Sequence, residues 1–130
     1  MSVRHKTDAS LVSVRLLRSE ALIADKCQVA ESFFQRLRGL IGRSALAQGE
    51  GMLFPRCNDI HMWFMSVPID VVFLRKSRTE NQFIVASTRS SLRPWRPLPV
   101  RDGQASETLE LPAGTVERLG IGRGDELCIS

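Results

Sequence analysis

The run IDVVFL, residues 69 to 74, constrains the fold more than any other stretch of the chain. Side chains alternate across a strand, so Ile69, Val71 and Phe73 fall on one face and Val72 and Leu74 on the other. Both faces are apolar. A strand with one wet face alternates apolar and polar residues, whereas one that is apolar on both sides has to lie between two layers. Asp70 is the exception, and a carboxylate in such a strand needs hydrogen-bond donors.

The neighbouring segments carry the same period. In LVSVRLLR, residues 11 to 18, Val12, Val14 and Leu16 share a face, and after Ser19-Glu20 the run ALIADKCQVA resumes the pattern, which predicts a hairpin. Further strands are predicted at 52–54, 60–64, 69–74 and 82–87, the last two joined by the polar turn RKSRTEN, and again at TLEL and DELCIS. The period changes in SFFQRLRGLIGR, where Phe33, Leu37, Leu40 and Ile41 recur at helical spacing, Ser32 and Gln35 match a capping box, and Gly42 is a stop. A second short helix is predicted at AGTVERLG, ending at Gly120. RSSLRPWRPLPVRDG, residues 89 to 103, contains Pro94, Pro97 and Pro99 and reads as an extended loop. The glycines of GIGRGD, 120 to 125, lack the strand-to-helix setting of a phosphate loop and read as a turn. The fold class expected is α+β: a β-rich, rolled or barrel-like, mostly antiparallel sheet with two short helices. Residues 1–10 read as a frayed terminus and 11–130 as one domain.

Composition excludes several classes. At 130 residues, with 43% hydrophobic and 25% charged residues, the chain matches an ordinary globular domain and not a disordered one. No apolar run approaches the ~18 residues that span a bilayer, and the first residues show no continuous apolar stretch or cleavage site of a secretory signal. A cytoplasmic location is therefore expected. Cys27, Cys57 and Cys128 form no C-x-x-C pair, which fits reduced thiols. The net charge is +4, and only Lys6, Lys26 and Lys76 among the 18 basic residues are lysines. Arginine binds carboxylate and phosphate bidentately, but here it is spread along the chain, not gathered into a stripe. That spread argues against nucleic-acid binding, and codon usage is the plainer source of the bias.

The chemistry-bearing residues gather around the central run NDIHMWFMSVPIDVVFL. Cys57, His61 and Met65 offer soft metal donors four residues apart. In a strand, neighbours at that spacing are about 13 Å apart, too far to share one ion, so neither a metal nor a cofactor is expected. His61 and Asp70 would face each other if the chain reversed at Met65-Ser66. Such a pair could orient an imidazole for catalysis with Cys57 as nucleophile, or could pin the strand structurally. Trp95, between Arg93 and Arg96, could stack on a ligand, or could plug the loop onto the sheet. Arg36, Arg38 and Arg43, on or just after the first helix, read most simply as a solvated face.

Four stretches together are similar to one family: RLRGLIGR at 36–43, GMLFPRCNDIHMWFMSVPIDVVFL at 51–74, RPWR at 93–96 and LELPAGTVERLGIGRGDEL at 109–127. They resemble the domain-of-unknown-function 192 family of small prokaryotic proteins. The resemblance implies a compact β-rich domain with two short helices and no established reaction. It also implies that Arg38, Gly39, Cys57, His61, Asp70, Trp95 and Arg96 sit at recurrent motif positions. Many members carry Phe-Trp-Met-Lys-Asn-Thr before the proline, where this chain has Trp63, Phe64, Met65, Ser66 and Val67.

The reading that follows is a non-catalytic or accessory binding module for an anionic or polar small ligand or a peptide. Arg38, His61, Asp70, Trp95 and Arg96 would form its site. The alternatives are a thiol or acid/base enzyme using Cys57, His61 and Asp70, a weak nucleic-acid binder, and a subunit of a larger assembly. No membrane partner is expected.

Overall fold

The computed structural model describes residues 11–30, 46–60, 67–93 and 99–130. The expected frayed terminus, the helix at 32–41 and most of the strand at 60–64 lie outside the described residues. The elements are β1 (Leu11–Leu16), β2 (Ala21–Val29), β3 (Glu50–Phe54), β4 (Asp59–Ile60), β5 (Ile69–Lys76), β6 (Gln82–Leu92), β7 (Val100–Arg101), β8 (Glu107–Pro112), α1 (Thr115–Leu119) and β9 (Glu126–Ile129). Seven strands close a barrel in the order β1-β2-β3-β8-β5-β6-β9, with β9 returning to β1. Every pairing in it is antiparallel except β2 with β3. β4 and β7 form a separate two-stranded ribbon.

β5 shows why the chain folds this way. All six residues from Ile69 to Leu74 are buried. Val72 and Leu74 pack inside the barrel with Val14, Leu16, Leu109, Leu111 and Leu127. Ile69, Val71 and Phe73 belong to a second core with Leu46, Ala105 and the ribbon residues Ile60 and Val100. Each such large side chain contributes about 1.5–3 kcal/mol by leaving water. The barrel therefore has a covered outer wall along β5, and its hydrophobic demand is met on both sides.

Helix α1 has five residues, far too few to be stable alone. Val116 and the following Ile121 bury themselves in the barrel core. Side chains distant in sequence hold both ends. The Val116 N–H donates to Asp70 Oδ2 at 2.8 Å. At the other end Arg18 Nη2 donates to the Gly120 carbonyl at 2.7 Å, and its Nε to Asp125 Oδ1 at 3.0 Å. An anion at the first turn and a cation at the last both oppose the helix dipole. Gly120 takes a left-handed φ of 67°, as expected of a helix stop. The residues of GIGRGD after it form a turn in which Asp125 Oδ2 accepts from the Gly122 N–H.

One local expectation is corrected. Arg89 to Leu92 belong to β6 and not to a loop, because the strand continues through a bulge opposite Asp70. The reversal that would set residue 61 opposite 70 falls on residues outside those described; both edges of β5 are taken, by β6 and β8, and β4 pairs with β7.

At Gly51, β3 comes close to both of its neighbours, β2 and β8. A Cβ there would lie 3.2 Å from the Glu110 carbonyl oxygen, 3.3 Å from Leu111 Cδ2 and 3.4 Å from Cys27 Sγ. Gly51→Val should therefore lower unfolding stability by about 1–3 kcal/mol, read as a fall in the denaturation midpoint at unchanged slope.

Candidate functional site

Asp70 is fully buried in β5, opposite Leu111 of β8. Its Oδ1 accepts the Ser91 N–H and its Oδ2 the Val116 N–H, each at 2.8 Å. Hydrogen bonds to a charged group contribute about 1.5–3 kcal/mol each. The Ser91 bond follows from the bulge. Ile69 pairs with Leu92 and Val71 with Arg89, so β6 carries one residue more than β5 across this step. Ser91 there has φ 51°, and Asp70 receives the amide that the ladder does not use. The donors that the strand's acid requires are thus backbone amides of two other elements.

A second group of polar side chains lies on the outer face of the barrel. Glu110 of β8 stands between Met52 of β3 and Val71 of β5 and is only 2% exposed. Thr108, on the same face, donates its hydroxyl to the Cys57 carbonyl at 2.7 Å. The Arg89 guanidinium lies 5.5 Å from the centre of the Phe73 ring, within cation–π range. Ser87 donates its hydroxyl to Asp102 Oδ2 at 2.5 Å, and the Gln104 N–H donates to Oδ1 at 2.9 Å. The Ser87 hydroxyl above all, then the Gln104 amide, with smaller help from Arg89 and Arg123, hold Asp102 below the usual carboxylate range against the opposing effect of burial.

Glu110, Arg89 and Asp102 were not singled out from the sequence. In LELP, Glu110 has the spacing of a solvent-facing strand residue. The signal that could have found it is the double apolarity of β5, since a strand covered on its outer face implies that its neighbours' outer faces are covered too.

Cys57 is half-buried and packs against Ala30, Met52 and Phe54. Its thiol donates to the Asp59 carbonyl at 3.0 Å, and its amide to the Ser106 carbonyl at 3.0 Å. These contacts place it beside the start of β8, on the outer face with Thr108. Asp70 pairs with Leu111, three residues further along β8, a separation of about 10 Å. Asp70 also faces inward, toward α1. The structure thus does not bring Cys57 and Asp70 together. Arg38, His61, Trp95 and Arg96 lie outside the described residues. The described ends of two of their segments do meet: Ile60 pairs with Val100, and Ile69 with Leu92. The described residues that flank 61–66 and 94–98 in sequence are therefore paired with each other at both ends, on the ribbon and on the barrel rim. Among the described residues no three His, Cys, Asp or Glu side chains are grouped to hold a metal ion. Nor, among them, is any helix long and apolar enough to cross a membrane.

Comparison with known proteins gives a consistent result. The sequence profile of the DUF192 family, described as "Uncharacterized ACR", matches residues 15–129. A UPF0127 protein of Thermococcus sibiricus is 36% identical over 106 residues, which cover 78% of this chain and 64% of that protein. The chain thus matches less than two thirds of this relative's length. Among solved structures, a "putative transcription regulator" from Sinorhizobium meliloti superposes with a TM-score of 0.73 at 26% identity, covering 89% of each chain. A protein of unknown function from Novosphingobium aromaticivorans gives the same TM-score at 24% identity, covering 90% of this chain and 82% of its own.

Two outcomes are expected of these side chains. Burial pushes the Cys27 thiol up to about 12, and the thiolate is the reactive form. In folded protein at pH 7 Cys27 should therefore resist iodoacetamide, as read by peptide mass spectrometry, and become labelled only in denaturant. Asp102, whose folded value is depressed, adds stability above the ordinary carboxylate pKa of about 3.9 that is lost as pH falls through the folded value. Ser87→Ala removes the largest cause. It should move the Asp102 carboxyl titration, followed by NMR, upward toward the ordinary range and make the acid-side loss of stability shallower.

Proposed function

The chain belongs to the DUF192 family, and from that premise we propose that it is a non-catalytic or accessory binding module for an anionic or polar small ligand or a peptide segment. One observation carries this reading. Ladder pairs at Ile60–Val100 and Ile69–Leu92 bracket both the stretch with His61 and Trp63 and the stretch with Trp95 and Arg96. Two aromatic and basic stretches that share both anchors suit the convergent polar and aromatic groups of a ligand site.

In this reading Trp95 stacks on the ligand, Arg96 and Arg38 hold its carboxylate or phosphate, and His61 supplies a hydrogen bond. Asp70 takes a positioning part, because both its oxygens are engaged by the Ser91 and Val116 amides. A thiol enzyme of Cys57, His61 and Asp70 is supported less well, since Cys57 and Asp70 are held at different stretches of β8 and face opposite sides of it.

A second reading, nucleic-acid binding, draws on the structural neighbour described as a "putative transcription regulator" and on the exposed Arg75, Lys76 and Arg78 at the β5–β6 turn. Contact with phosphates would make affinity for duplex DNA fall steeply between 50 and 200 mM salt. Affinity that does not change with salt removes this reading.

The test of the first reading begins with native mass spectrometry of protein purified gently from its host, to find a retained molecule. It continues with NMR titrations using inorganic phosphate, succinate and a tetraglutamate peptide. Trp95→Ala should abolish the shifts produced by whichever of these binds, with the melting temperature nearly unchanged. A large fall in melting temperature instead makes Trp95 a plug of the fold and overturns its role in binding.

A further inference from the structure

We infer that Asp70 couples α1 to the end of β6, so that a disturbance of the small helix is felt by the strand that leads into Trp95. Its bearing on a ligand rests on the binding reading above; the coupling itself does not. Three observations meet at this residue. Its carboxylate is fully buried and divides its two oxygens between the Ser91 and Val116 amides, which are 25 residues apart in sequence. Ser91 sits at φ 51° in a bulge, a backbone region that non-glycine residues occupy only where the surroundings impose it, at a cost of about 1–3 kcal/mol. Helix α1 has only five residues and a left-handed Gly114 at its N-cap, with no side-chain cap from its own sequence.

The first turn of α1 and the bulged end of β6 share this one anion, each at one of its oxygens. If α1 shifts, Oδ2 loses a donor in a fully buried place. The carboxylate then has to turn to find another, and turning takes Oδ1 from Ser91. The same applies in reverse, because a coupling free energy acts equally in both directions. The helix has an outward handle, since Glu117 and Arg118 are exposed while Thr115 and Val116 are buried. A contact on that outer turn would therefore reach Leu92 and Arg93, the last described residues before Trp95. Ligand capture at Trp95 would in turn tighten α1.

Amide hydrogen exchange in the free, full chain tests this without a ligand. Gly114→Ala strains the helix N-cap, because φ there is 94°, yet the added Cβ meets nothing within 4 Å. The change thus disturbs α1 and with it the Val116 donor, and touches the Ser91 side of Asp70 only through the carboxylate. The Arg118 and Ile121 amides, bonded to the Gly114 and Val116 carbonyls, should exchange about ten-fold faster. The Ser91 amide should accelerate with them, while amides of the β1–β2 pairing keep their wild-type rates. Asp70→Asn, which keeps the shape and loses one acceptor, should speed both groups. Faster exchange confined to α1 in Gly114→Ala, with Ser91 unchanged, overturns the coupling. Failure of phosphate, succinate and tetraglutamate to bind overturns the ligand reading and leaves this result standing.

Discussion

The buried carboxylate of Asp70 is the contact on which the geometry of one barrel end depends. An apolar residue at position 70 would suit the surrounding core, but it would leave the buried Val116 amide without an acceptor and take from the Ser91 amide, at the exposed end of β6, the partner that its bulge provides. Replacing a buried charge with an isostere is often harmless when its partners leave with it. Here the partners are backbone and cannot leave, so the charge is structural in a strict sense. It permits the bulge in β6 and supplies the first-turn anion of α1 in the same act. Arg18 completes the arrangement from the β1–β2 turn, and α1 is thereby tied to two sides of the barrel.

β5 has the complementary part, as the wall shared by two cores. A closed seven-stranded barrel with a filled interior could leave its outer faces wet. Ile69, Val71 and Phe73 do not allow this along β5, and the ribbon of β4 and β7 supplies Ile60 and Val100 to cover them. A two-stranded ribbon of two residues per strand has little stability of its own. Its position is set by those apolar contacts and by the bond between Ser87 and Asp102. Of the polar groups on this face, Thr108 and Glu110 are buried and Arg89 is half-buried.

Much of this was legible in the sequence, for reasons that concern period and punctuation. The β1–β2 hairpin, the double-faced β5, the stop of α1 at Gly120 and the turn after it all follow from local alternation and from glycine. What was not legible depends on residues far apart in sequence. RSSL reads as loop because serines and the nearby prolines weaken a strand, and only the carboxylate of Asp70, 21 residues earlier, makes a bulged strand of it. The β4–β7 ribbon joins residues about 40 apart through two residue pairs, too short a pattern to register as alternation. Glu110 reads as solvent-facing because one strand does not reveal what lies over it. Of the candidate site, the need of Asp70 for hydrogen-bond donors was legible. Its partners were not, since an acid in an apolar strand announces a need for donors without naming them.

The distribution of buried acids bears on what the fold is built to preserve. Asp70, Glu107 and Glu110 all lie on β5 and β8, which are paired with each other. Glu107 accepts a hydrogen bond from the Ser106 hydroxyl, and Asp70 accepts from two backbone amides. Burying charge is an inefficient route to stability compared with burying leucine, and the leucines at 74, 109 and 111 already provide that. What an acid at a fixed position adds is register: a one-residue slip of β5 against β8 would turn Asp70 from its donors toward the apolar outer core, and Phe73 into the barrel. Two adjacent strands with acids on both faces therefore have one acceptable alignment. That alignment also sets Ile69 against Pro112, at the same end of β5 where Ile69 meets Leu92 of β6.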